Sequence, residues 1–165
     1  MPSNSADSSR REALYDLLGF FYPIHYRIGM ELERRTCQDQ LSRQQAAIIW
    51  LIESEVGRNG WMRRRDIELT LNDWFESKNS HVSYLLKELS APPLSLVIQK
   101  TNPESAREKL VALTDQGREY FDTMINAGIE YFSELLPQVP EDELRQGMKF
   151  LGHAFGSPTL KSNSS

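Results

Sequence analysis

Leu94-Ser95-Leu96-Val97-Ile98-Gln99-Lys100 and Lys109-Leu110-Val111-Ala112-Leu113, joined by the polar stretch Thr101 to Glu108, mark where helical periodicity gives way to strand patterning. Two short apolar runs around a polar, proline-containing connection read as a β-hairpin. Thr114 follows the second run directly, and its hydroxyl suits a helix N-cap. Pro92 and Pro93 precede the first run and stop whatever helix comes before, since neither can donate a helical hydrogen bond.

Upstream of the hairpin the period is helical. Val82, Leu85, Leu86 and Leu89 form one apolar stripe, predicting a helix over about Ser77 to Ser90. A shorter helix is expected from Met62 to Leu71, with Ile67, Leu69 and Leu71 as anchors, and Asn72-Asp73 is a turn signal. Ser42 is a candidate N-cap for a helix through Ala46, Ile49, Trp50 and Ile52 to about Val56, ended by Gly57, Asn59 and Gly60. From about Arg11 to Thr36, Leu14, Leu17, Leu18, Phe21, Ile24, Ile28 and Leu32 predict a long helix that Pro23 interrupts. Downstream, a helix runs from Asp115 to about Leu136 and is broken by Pro137. A last one runs from Glu141 to Phe155 behind Pro140, with an acidic first turn.

A helix-turn-helix followed by a hairpin is a winged helix. The expected fold is therefore mainly α with a small β-hairpin wing: a winged helix-turn-helix flanked by N- and C-terminal dimerisation helices. The flanking helices are too apolar for one chain of this size to cover. The reading divides the chain into a disordered N-terminal arm (1–10), a dimerisation helix region (11–36), a winged helix-turn-helix (37–114), C-terminal dimerisation helices (115–156) and a disordered tail (157–165).

Composition agrees with one globular domain of 165 residues, 39% hydrophobic and 25% charged. No apolar run approaches the roughly 20 residues of a membrane span, and the polar, Ser-rich start lacks the apolar core of a signal peptide. The expected location is the cytoplasm. A single cysteine, Cys37, excludes an intrachain disulfide. Net charge is −4, yet residues 58–109 carry 9 Lys/Arg against 7 Asp/Glu, which leaves −6 on the rest. Nucleic acid responds to such local fields and not to the total.

Four stretches make the chain resemble the MarR family of bacterial regulators. Leu41-Ser42-Arg43-Gln44-Gln45-Ala46-Ala47-Ile48-Ile49 is similar to a family helix start. Arg65-Asp66-Ile67-Glu68-Leu69 resembles the first helix of the family's helix-turn-helix, and Ser83 to Leu89 the second half of its recognition helix. Asn102-Pro103-Glu104-Ser105-Ala106-Arg107, continuing through Leu113-Thr114-Asp115-Gln116-Gly117, resembles its wing-then-helix signature. Three departures stand out: Ser105 where the family places a second wing acid, Ser90-Ala91-Pro92-Pro93 where it commonly has glycine, and bulky Trp74-Phe75 in the turn. The resemblance implies a homodimeric transcriptional repressor that binds double-stranded DNA at a near-palindromic operator. It also implies release by a small aromatic or phenolic effector held between the dimer helices and the DNA-binding lobe.

With the apolar stripe inward, the opposite face of the recognition helix presents Lys78, Asn79, Ser80, Ser83, Tyr84 and Lys87, with His81 nearby. Such side chains pair with base edges or phosphates in the major groove, or form an ordinary solvated face. Arg107, expected at the hairpin tip, suits a minor-groove contact. Arg63, Arg64 and Arg65 open a helix, where cations oppose the macrodipole. Phosphate, or pairing with Asp66 and Glu68, would offset that cost. Tyr22, His25, Tyr26, Trp50 and Trp61 are the candidate effector-cleft residues, though aromatics at such spacing also serve as core or dimer packing.

His25, His81 and His153 fall on different elements, so no metal site is expected, and no catalytic set or cofactor motif is found. Cys37 reads as an ordinary thiol, with a redox switch favoured by Arg34 and Arg35 as the other reading. The alternative function is a winged-helix module that binds protein partners without specific DNA binding.

Overall fold

A computed structural model describes residues 3–156. Its helices are α1 (Ser3–Gly19), α2 (Met30–Cys37), α3 (Arg43–Val56), α4 (Arg64–Phe75), α5 (Asn79–Ser90), α6 (Asp115–Leu135) and α7 (Glu141–Phe155). Three strands, β1 (Met62–Arg63), β2 (Val97–Asn102) and β3 (Ser105–Leu113), form an antiparallel sheet in the order β1-β3-β2. The mainly helical fold with a small wing is as expected. The predicted tail at 157–165 lies outside the described residues.

Side-chain caps set the two best-defined helix starts. Ser42 caps α3 in a capping box: its hydroxyl accepts from the Gln45 amide at 3.2 Å, and the Gln45 side chain accepts from the Ser42 amide at 2.9 Å. Thr114 caps α6, accepting from the Gly117 amide at 2.9 Å while donating to the Ser95 carbonyl at 2.8 Å. Arg118 then donates to the carbonyls of Leu113 and Arg58. A Cβ at Gly117 would lie 2.0 Å from the Leu96 carbonyl oxygen, so only glycine lets α6 start this close to the wing base.

The core joins α3, α4, α5, the sheet and the first half of α6. Ile48, Ile49, Ile52, Ile67, Leu71, Val82, Leu86, Leu89, Val97 and Val111 are fully buried in it. The predicted stripe on α5 is therefore the face that points inward. Helix α2 packs along α6.

Several boundaries differ from the sequence reading. Helix α1 begins at Ser3, inside the arm expected to be disordered. Once a turn has nucleated, polar residues extend a helix at little cost per residue. The interruption expected at Pro23 is present: α1 ends at Gly19 as a separate helix, and Pro23 opens a π-helical segment, Pro23–Gly29, ahead of α2. Met62 and Arg63 are not helical but pair with Val111 and Leu110 as β1. Helix α4 continues past Asn72-Asp73 because both sit on its exposed side while Phe75 still packs on the core. It ends at Glu76 in the left-handed region, φ 53°.

The wing reaches further towards its tip than predicted, while β2 starts at Val97 and leaves Leu94-Ser95-Leu96 outside the strand, with Ser95 in the left-handed region at φ 49°. Both strands run through the polar stretch, and the tight turn is Pro103-Glu104, closed by the Asn102–Ser105 pair. Thr101 pairs with Lys109 and Asn102 with Ser105, so residues 106–108 bulge out of β3. Arg107 thus sits in a bulge on the wing's flank and not at its tip.

Exposed apolar faces lie at both ends of the chain. Leu14, Leu17, Leu18 and Phe21 are exposed on α1 and just after it, and Leu144, Met148, Leu151 and Phe155 on α7. No residue of α7 is buried.

Candidate nucleic-acid interface

Helix α5 carries the residues expected to face DNA. Lys78, Asn79, Ser80, His81, Tyr84 and Lys87 are exposed, and Ser83 is half-buried. Three of them are held by neighbouring side chains. The His81 ring lies 2.7 Å from the Gln44 amide oxygen of α3, and Gln44 in turn donates to the buried Ser77 hydroxyl at 2.8 Å. Tyr84 donates to Glu88, which keeps its phenol protonated to higher pH than usual. Glu88 also accepts from Gln45 at 3.1 Å. Ser83 donates to the Asn79 carbonyl and accepts from Arg64. The first turn of α3 and the start of α4 therefore orient the outward face of α5.

The three arginines at the start of α4 have separate environments. Arg63 belongs to β1 and lies 3.5 Å from Glu108 of β3, a partner the sequence did not suggest. Arg64 pairs with Glu68 at 2.8 Å, one of the two alternatives foreseen. Arg65 is exposed. Arg65 and Arg64 share with Glu68, Ser105, Arg107, Glu108 and Lys109 the lining of an open hollow of about 570 Å³ between α4 and the wing. The fold thus gathers four cations from two elements about 40 residues apart.

Lys109 was missed as a site residue. Its only signal was its closeness to Arg107 in the chain; the bulge at 106–108 removes the strict alternation that would otherwise place the two side chains on one face. Glu108 and Asn102, hydrogen-bonded to each other, brace the wing where Ser105 supplies no carboxylate.

The five candidate effector residues do not converge within one chain. Tyr22, His25 and Tyr26 lie exposed on and beside the π-helical segment, where Tyr22 and Tyr26 stack at 5.6 Å and Phe21 and His25 at 6.2 Å. Trp61 sits near the wing under the Lys100 ammonium, 3.8 Å from the ring centre. Trp50 packs against Phe121 and, with Trp74, Phe75 and Met124, lines a hollow of about 240 Å³ between α2, α3, α4 and α6. Cys37 reaches the same hollow, and burial pushes its thiol above the ordinary range, as suits a structural thiol. Among the described residues no cluster of His, Cys, Asp and Glu could hold a metal, and no helix is long and apolar enough to cross a membrane.

Helix, turn, helix and wing coincide with a known domain family: the profile of the winged helix DNA-binding domain matches residues 41–117. Around it, most of the described chain has a fold similar to that of MarR family transcription regulators. One such regulator superposes with a TM-score of 0.68 at 20% identity, covering 91% of this chain and 93% of that one. A mutant of MarR from E. coli gives 0.64 at 15% identity, over 84% and 95%. A mutant of MepR from S. aureus, bound to an oligodeoxyribonucleotide, gives 0.57 at 19% identity, over 85% and 94%. No curated protein sequence matches the chain. The segment that matches the winged helix profile spans α3 to the first turn of α6, and α1, α2, the remainder of α6 and α7 lie outside it.

Proposed function

We propose that the protein is a homodimeric, sequence-specific transcription regulator of the MarR type, a repressor, acting on DNA in the cytoplasm. Each α5 enters a major groove while the wing brings Arg107 and Lys109 to the adjoining backbone and minor groove. One observation carries the reading: within the segment that matches the winged helix DNA-binding profile, the exposed polar face of α5 adjoins a hollow where Arg65, Arg107 and Lys109 gather, with Arg64 held in its wall by Glu68. Guanidinium and ammonium groups gathered from two elements are suited to phosphates, and Asn79 and Ser80 to base edges. Related folds include one bound to an oligodeoxyribonucleotide, which supports the same partner here.

Two copies are needed to cover the apolar faces of α1 and α7, which one chain leaves in water. A twofold dimer places its recognition helices about 34 Å apart, one turn of duplex, and so favours a near-palindromic operator. A small aromatic effector fits the Trp50–Trp74 hollow, between the winged helix and α2–α6, where it would shift the spacing of the two domains.

Selection of bound fragments from random duplex DNA, followed by titration between about 50 and 200 mM salt, tests the reading. Expected are an enriched inverted repeat and a steep, log-linear loss of affinity with salt. Arg107→Ala and Lys87→Ala should each weaken binding by about tenfold with the fold intact. No enriched motif together with salt-independent association would reject DNA binding and favour a protein-docking winged helix.

A further inference from the structure

We infer that Arg64 is a positioning residue that sets the roll of recognition helix α5, and not a phosphate contact. The inference rests on the DNA-binding reading above and refines it.

Arg64 is the first residue of α4, after Arg63 in extended backbone. Its guanidinium is used from two sides. Nε donates to Glu68 Oε1 at 2.8 Å, one turn along α4, and Nη2 donates to the Ser83 hydroxyl in the middle of α5. The donor and acceptor roles are consistent, because Ser83 commits its own hydrogen to the Asn79 carbonyl at 2.8 Å and leaves its oxygen free to accept. A planar fork thus ties a carboxylate on one helix to a hydroxyl on the next.

Burial decides between the two roles. Glu68 is only 14% exposed and Arg64 32%. If Arg64 swung out to a phosphate, it would strand a mostly buried carboxylate beside a polyanion, and removing one partner of such a pair is strongly unfavourable. Arg65, next in the same turn, is exposed and carries no comparable obligation. The adjacent arginines therefore divide the work: Arg65 meets the backbone, while Arg64 fixes the rotation of α5 about its own axis. That rotation determines whether Asn79, Ser80 and Lys87 point into the groove.

The test measures affinity for the selected duplex and for a random duplex as a function of salt, in Arg65→Ala, Arg64→Ala, Arg64→Lys, Ser83→Ala and the Arg64→Ala/Ser83→Ala double variant. A lost phosphate contact lowers the log–log salt slope by about one and weakens both duplexes alike; this is expected of Arg65→Ala. Arg64→Ala should instead keep the slope and lower the ratio of selected to random affinity about tenfold, the size expected for one charge-assisted bond. Ser83→Ala, a small change that spares the fold, should lower the same ratio. The double variant should lose little more than either single one. Arg64→Lys keeps the charge without the fork and should not restore the ratio. A slope reduced by about one in Arg64→Ala, or a ratio restored by Arg64→Lys, would overturn the inference alone. A wild-type chain that binds no duplex would overturn the DNA-binding reading and this inference with it.

Discussion

Gln45 is the side chain on which two structures depend at once, and replacing it with alanine isolates both. Its amide oxygen closes the capping box of α3 at 2.9 Å, and its amide nitrogen holds Glu88 of the recognition helix at 3.1 Å. The return bond from the Ser42 amide, which alanine removes while the Ser42 cap stays, contributes about 1 kcal/mol. A hydrogen bond to a charged acceptor contributes about 1.5–3 kcal/mol when shielded, and about 1 kcal/mol here, where Glu88 is only half-buried. Gln45→Ala should therefore cost about 2 kcal/mol, or about 4–8 °C in Tm for a chain of this length. Gln45→Glu separates the contributions. It keeps an oxygen for the Ser42 amide but sets a second carboxylate against Glu88, so at pH 7 it should be less stable than the alanine variant. Towards pH 5 one of the two carboxyls takes a proton, donates it to the other, and stability should return. The assay is thermal unfolding of wild type and both variants at pH 7 and pH 5, at one fixed protein concentration because the midpoint of the proposed dimer would depend on it. Gln45→Glu matching wild type at pH 7, or Gln45→Ala costing under about 0.5 kcal/mol, would refute the double role.

Gly117→Ala should lower stability by about 2 kcal/mol or more, since the new methyl would meet a backbone oxygen that cannot yield without moving the wing base; circular dichroism melts check this. Glu53 gives a pH signature. Its Oε2 is buried without a hydrogen-bond partner among the described residues, and burial raises its pKa, with Arg58 and Arg118 opposing. An acid harder to ionise folded than unfolded costs stability above its folded pKa, and that cost disappears as pH falls below the unfolded value near about 4.3. Glu53→Gln should be more stable than wild type at pH 7, with the advantage vanishing towards pH 4 in paired urea titrations.

Much of the fold was legible because its signals are local. Ser42 and Thr114 announce helix starts through hydroxyls that reach amides three residues on. Val82, Leu85, Leu86 and Leu89 mark the buried side of α5, and hence its free side, by spacing alone. What the sequence concealed depends on distant partners. A two-residue strand at Met62-Arg63 exists only because Val111 and Leu110 lie beside it. The wing looked short because β2 is exposed beyond Val97, and a ribbon in water on both sides shows no apolar alternation. In the same way, Arg63 finds Glu108 across the sheet, Trp61 is taken by Lys100, and Trp50 by Phe121. No spacing rule within a helix could have foretold those pairings.

The welding of the first turn of α6 to the wing base has a mechanical consequence. Thr114 and Arg118 bind the helix to Ser95, Leu113 and Arg58, and Gly117 lets it approach Leu96 closely, which opposes hinge motion at that joint. Helix α6 has 21 residues and is about 31 Å long. As a stiff lever, tilting by about 5° at α2 while pivoting at its middle, it would carry the wing by about 1.4 Å, and by about 3 Å if pivoted at the far end. Displacements of that size exceed the spread of about 0.5 Å in hydrogen-bond lengths, so under the proposed DNA-binding role a molecule wedged beside α2 need not approach the duplex to dislodge it.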